Sequence, residues 1–477
     1  MSLDPLTRHY DLSVIDVSID LTAEPVVVRF RVEITGTVTG EVHVPAAAIG
    51  VPVSLAELRL LSAEPSFQIP PGALDDLRRA LHLPRRPSTR PVWLRLRRPW
   101  GYLPAIPWER LLQPALGVPV LRLPFYAVPP VATYDQLRVV VCASSRKTPG
   151  TIPVEDLVDE LIEQVAGVSE RTRIDVFADA EAYPRVADRL SRRSDAPGVH
   201  VHDPSAWAGA ERRQLEQKHD AMAVDDQKEQ YANPWLRWMM QVLNGAGVDV
   251  LHLVAPGYLS ANYGAVALPA SPISGPDDGK TCLLGAADLK AFQRRTGSWL
   301  LGFTVPRPGV NNVGLRLLAH RMAQQWTGPV LLYDPYADAT RGLELGHAYP
   351  WLFLRGAGVP RTPALTLYCH PGAPMVAVQP AHTRAPMRTD PANLIEAWAQ
   401  TYTLAKGRTL GMIEDEHGAP AWVTADQRSL ERAAALLIEP ISGNQRASVS
   451  QQAARRGVED ALQFVSDVIE RYASAEP

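Results

Sequence analysis

Three short apolar runs, 248–254, 298–304 and 328–333, alternate with two amphipathic stretches, 286–295 and 313–326. Apolar runs of this length, separated by helix-period segments, are the pattern of parallel strands buried on both faces of an α/β sheet. A hairpin is expected at 263–270, between the first run and the first helix. The alternation extends upstream, with strands expected at 137–143, 173–178 and 199–202 and helices at 154–168 and 181–190. Sheets of this kind place their chemistry in the loops after the strand carboxyl ends. The residues following Val254 and Phe303 are therefore the first to question.

The ends of the chain read differently. Residues 1–60 alternate apolar and polar, as a half-buried antiparallel sheet does. A helix is expected at 74–81, with Asp75 and Asp76 in its first turn and Arg78 and Arg79 near its end. Pro107 and Glu109 suit the start of a short helix. Residues 207–245 read as helical material broken at Asn233-Pro234, and the part at 211–219 is polar all round. Segments 365–369 and 375–378 suggest an edge hairpin, followed by helices at 390–405, 425–437 and 448–473. The expected organisation is a β-rich module at 1–90, an α/β domain of mostly parallel strands flanked by helices at 91–385, and a helical extension at 386–477.

Composition excludes several classes. A net charge of −3 gives no global attraction to nucleic acid. Eight arginines between Arg78 and Arg98 are interleaved with Trp93 and Trp100. They are read as the outward positions of a strand at 92–97 rather than as a nucleic-acid surface. The three cysteines, Cys142, Cys282 and Cys369, lack paired spacing, which argues against disulfides and CxxC metal sites and suits the cytoplasm. No apolar run approaches a membrane span, and the N-terminus lacks a basic-then-apolar leader.

The isolated motifs carry little chemistry. Ser274 to Thr281 mimics the end of a phosphate loop, but Pro276 removes a backbone donor and Asp277 and Asp278 repel phosphate. No cofactor is expected there. Asp334, Asp338, Glu344 and His347 lack a tight metal-ligand spacing. Cys142 precedes the loop Ser144-Ser145-Arg146-Lys147, read as solvated. Cys369 and His370 are neighbours that a strand would point to opposite faces. Thr304 as a nucleophile needs an adjacent base, and none is evident along the chain.

The segment 103–112, containing Pro107-Trp108-Glu109, then 120–122 and 137–141, resembles the lead-in of CHAT domains, members of the caspase-like cysteine peptidase clan. Residues 248–257 and 299–303 continue the resemblance, which covers about 90 to 340. It implies a caspase-like α/β sandwich with a histidine in a His-Gly step after one strand and a cysteine ending the next parallel strand. In that chemistry an imidazole beside a thiol yields a thiolate nucleophile. Here His252 matches a histidine within the first strand, Pro256-Gly257 stands at the His-Gly step, and Thr304 or Val305 stands at the cysteine. No cysteine occurs between 283 and 368. The resemblance thus implies a degenerate dyad: a pseudoprotease acting through a protein partner, such as an active protease, in a bacterial signalling or defence system. The alternative is a cysteine hydrolase with relocated residues, His252 and Cys282 being the fallback pair and Cys142 and Cys369 the other thiols.

Overall fold

The computed structural model describes residues 10–371, apart from 55–56, 58–66, 84–89, 98–101, 125–136, 145–151, 169–170, 194–197, 208–232, 261–262, 275–280, 307–309, 327, 339–341, 355–356 and 361–362. The polar stretch at 211–219, the second half of the 365–378 hairpin and the helices expected at 390–405, 425–437 and 448–473 lie outside the described residues. The chain divides into Met1–Gly407 and Arg408–Pro477, and every described residue belongs to the first unit.

The N-terminal strands β1 (Ser13–Asp20), β2 (Val27–Ile34) and β3 (Thr37–Pro45) form an antiparallel meander. The turn between β2 and β3 uses Thr35 and Gly36, both at positive φ. Short α1 (Ala46–Ile49) follows, then α2 (Pro71–Ala80). Helix α2 starts earlier than the sequence suggests, because Pro71 takes the first position, where a missing N–H does no harm. Asp75 and Asp76 consequently fall in mid-helix, and Asp76 pairs instead with Arg79 at 2.6 Å.

Strand β4 (Val92–Leu96) runs parallel to β1, helix α3 is Trp108–Leu116, and β5 (Val120–Arg122) pairs with β4. On one face, Val28, Phe30, Val32, Leu77, Leu94 and Trp108 share a core. The other face is charged: Asp16 sits between Arg95 and Arg97, and Glu33 lies 3.3 Å from Arg95. The arginines of this strand are thus answered within the chain. Residues 10–45 contribute their strands to the main sheet rather than to a second one.

From Leu137 the chain alternates strand and helix. In order come β6 (Leu137–Ala143), α4 (Val154–Ala166), β7 (Thr172–Ala178), α5 (Tyr183–Ser191), β8 (Val199–His202) and α6 (Pro234–Leu243). The expected break at Asn233-Pro234 becomes the start of α6, where the Asn233 side chain accepts from Trp235 N. Strand β9 (Val250–Val254) leads into a small antiparallel sheet of β10 (Gly257–Ser260), β11 (Tyr263–Pro269) and β12 (Thr281–Leu284). Then follow α7 (Ala286–Thr296), β13 (Leu300–Thr304), α8 (Val310–Ala323), β14 (Val330–Tyr333), α9 (Leu343–Phe353) and β15 (Leu365–Tyr368).

Among the described residues twelve strands form one sheet, ordered β3-β2-β1-β4-β5-β15-β14-β13-β9-β6-β7-β8. The pairs from β14 to β8 are all parallel. Strand alternation assigns the two faces. Val139, Val141, Val250, Val254 and Leu300 pack with α4, α5 and α9, whereas Val140, Leu251, Leu253, Leu301 and Phe303 pack with α6, α7 and α8. Helix α4 shows why it forms: Val154, Leu157, Val158, Leu161, Ile162 and Val165 make one buried stripe behind an acidic first turn. Strand β15 is no edge. It lies between β14 and β5 with all four residues buried, because the N-terminal strands continue the sheet beyond it.

Helix α8 meets the small sheet backbone to backbone. A Cβ at Gly264 would stand 1.7 Å from the Gly314 carbonyl oxygen. Gly264→Ala is therefore expected to lower stability by about 1–3 kcal/mol, read as a lower urea midpoint; an unchanged midpoint would show that the helix gives way freely.

Candidate functional site

Strands β6, β9, β13 and β14 end side by side, so their carboxyl ends form one edge. The two dyad positions of the resemblance fall at or just past the ends of neighbouring parallel strands there. Pro256 follows β9, and its carbonyl accepts from Ala267 N at 2.8 Å as the chain enters the small sheet. Its ring nitrogen is part of an amide and can neither accept nor carry a proton. Thr304 ends β13, and Val305 donates its N–H to the Tyr333 carbonyl at 2.9 Å.

His252 and Thr304 come together. His252 Nε2 lies 2.7 Å from Thr304 Oγ1, and Nδ1 lies 2.6 Å from the Tyr349 hydroxyl of α9. The parallel register does this by setting Gly302 opposite His252. Any Cβ at position 302 would stand 2.2 Å from Nδ1, so a glycine makes room for the ring to reach across β13. Thr304 thus has the neighbouring base that the sequence alone did not reveal. The base is weak, however. His252 is fully buried, and loss of hydration pushes its pKa down to about 3. An imidazole with so acidic a conjugate acid takes a proton from a hydroxyl poorly near neutral pH.

The thiols lie elsewhere. Cys142 is buried in β6 on the face of α6, α7 and α8, and its pKa is raised by burial and by Asp179. Cys369 is buried just past β15 and raised by burial. Cys282 lies in β12, half-buried, where the Asn233 amide donates to its sulfur at 3.2 Å; burial and Asp288 raise it. Each therefore remains a thiol at neutral pH. No hydrogen bond joins any of the three to a histidine among the described residues. The ring of His370, neighbour of Cys369, meets Tyr10 edge-on at 5.2 Å.

At the end of β14 the Tyr333 hydroxyl lies 3.0 Å from Asp338 and 2.8 Å from Glu160. Burial, with Asp338 nearby, raises Glu344 to about 8. No group of three or more His, Cys, Asp or Glu among the described residues is placed to hold a metal ion. Of the phosphate-loop mimic, 275–280 lies outside the described residues. So do Ser145, Arg146 and Lys147.

One polar network escaped the sequence reading. Glu109, in the first turn of α3 as expected, is buried against Arg122 of β5, with contacts of 2.5 and 3.0 Å. Arg122 also donates to the Tyr368 hydroxyl at 2.7 Å and to the Ile106 carbonyl at 3.1 Å. Thr366 joins Glu109 at 3.1 Å and receives Arg316 of α8 at 2.9 Å. Arg316 stands 3.8 Å from Asp334, which accepts from Asn312 at 2.6 Å. Hydrogen bonds and ion pairs thus run from the Pro107-Trp108-Glu109 element to the carboxyl edge. The one signal available beforehand was an arginine set among the apolar residues of the run at 118–123.

No protein-family model matches the chain, and no curated protein is found to be similar to it.

Proposed function

We propose that this chain is a pseudoprotease of CHAT-like type: a caspase-like body that acts as an interaction or regulatory subunit for a protein partner. The carrying observation is that Thr304 ends β13 opposite Val254 of the adjacent parallel strand β9, with Pro256 two residues beyond Val254. On this reading the two adjacent strand ends that would carry an imidazole and a thiol carry a proline and a threonine instead. The burial and raised pKa of the cysteines support the same reading. The unpaired cysteines suit a cytoplasmic setting, and a bacterial signalling or defence system is the context the resemblance implies. Among the described residues no helix is long and apolar enough to cross a membrane.

A thiol-reactive peptide probe tests the proposal. In the native protein Cys142 and Cys369 are expected to stay unlabelled and Cys282 to label slowly, all three reacting once the protein is unfolded. Rapid native labelling of one cysteine, together with peptide cleavage abolished by its serine variant, would replace this reading with a relocated hydrolase.

A further inference from the structure

Tyr336 is 37% exposed, yet its hydroxyl is used twice by the backbone. It donates to the Pro306 carbonyl at 2.7 Å and accepts from the Ile152 amide at 2.9 Å. Asp334 accepts from Tyr336 N at 3.2 Å and so fixes the turn that presents the ring. One phenol therefore ties three connections at the same edge. It sits on the loop after β14. It holds the loop after β13 two residues beyond Thr304. It also holds the lead-in to α4, the helix that follows β6. In the sheet β9 lies between β13 and β6, so the tie passes from one side of the β9 carboxyl end to the other.

What lies beneath is sealed. Ile152, Val154, Val250, Val254 and Leu300 share one core cluster, and strand alternation puts His252 on that same face. His252 and Thr304 are 0% and 1% exposed. A partly exposed tyrosine thus holds this edge through two backbone contacts of its hydroxyl. The deeper layers are held by apolar packing, whereas the part-buried hydroxyl bonds of a residue that reaches solvent can be exchanged for water by a local opening.

We propose that Tyr336 is a latch that closes the carboxyl edge over the His252–Thr304 pair. When it is released, the Pro306 carbonyl and the Ile152 amide lose their shared partner and the edge opens to solvent. The latch concerns access to the edge, whatever the chain's activity.

Tyr336→Phe tests it, because the ring stays and only the hydroxyl goes. Hydrogen exchange at the Ile152 amide is expected to accelerate by about tenfold or more. Deuterium uptake at the His252 ring carbon is expected to rise with it. Core amides of β6 and β7, such as Val140 and Val176, are expected to keep their wild-type rates. Unchanged exchange at both Ile152 and His252 would overturn the latch. So would a rise shared equally by Val140 and Val176, which would mark general destabilisation. The experiment uses neither a partner nor a cysteine probe, so a failed latch leaves the pseudoprotease proposal standing, and a reactive cysteine leaves the latch standing.

Discussion

Glu109→Gln is expected to destabilise the protein by about 3–5 kcal/mol, the range for removing one partner of a buried ion pair. Glu109 and Arg122 are each 1% exposed, so water cannot replace the lost charge. Burial works to lower the Arg122 pKa, but Glu109 and Tyr368 beside it outweigh that and hold it raised. Without the carboxylate the guanidinium stays charged and buried, with only neutral acceptors left. Glutamine also turns an N–H₂ group toward Arg122 or Thr366, where an acceptor stood. Urea denaturation of the variant measures the loss. The double variant Glu109→Leu with Arg122→Met is expected to lose less than the two single changes summed, because no orphan charge remains. A single-variant loss under about 1 kcal/mol would show that the pair is no buried anchor.

The second large effect is acid sensitivity traceable to His252. Its folded pKa of about 3 lies below the value of about 6.5 for an unfolded histidine. The unfolded chain therefore binds the proton more readily. The stability from keeping the ring neutral is complete above about pH 6.5 and is lost as the pH falls toward 3. The slope approaches about 1.4 kcal/mol per pH unit, which reaches about 3 kcal/mol at pH 4. Acid breaks this site because a protonated imidazole cannot stay fully buried with only two neutral hydroxyls to meet it. Denaturation curves from pH 7 to 4, for the wild type and for His252→Gln, are expected to converge as the pH drops. Asp175 adds sensitivity lower down and equally in both proteins. Burial raises it, but His202, Arg173 and Arg138 outweigh that and hold it near 2. Curves that stay parallel would remove His252 as the cause.

The two cases differ in how far the sequence shows them. Glu109 is placed correctly as a residue of a helix first turn, since that is a local property of charge and position. Its partner Arg122 lies only 13 residues on, but the network that buries the pair is closed by Tyr368, 246 residues from Arg122, and that closure has no local signature. His252 is read as a strand histidine, and it is one. Its contact with Thr304 spans 52 residues and exists only in one register. A shift of one residue would send Thr304 to the opposite face.

By itself the sequence determined the elements of the parallel core: the runs at 248–254, 298–304 and 328–333 contain β9, β13 and β14, with the helices expected between them. Strands buried on both faces must be apolar throughout, and that constraint is written locally. It also determined that no cysteine could end β13. Only the tertiary structure decided that β15 is interior, that the N-terminal strands extend the same sheet, and that Tyr336 spans the carboxyl edge. Strand order and register are set by which surfaces bury one another. That is a property of the whole packed chain, with no local signature to read.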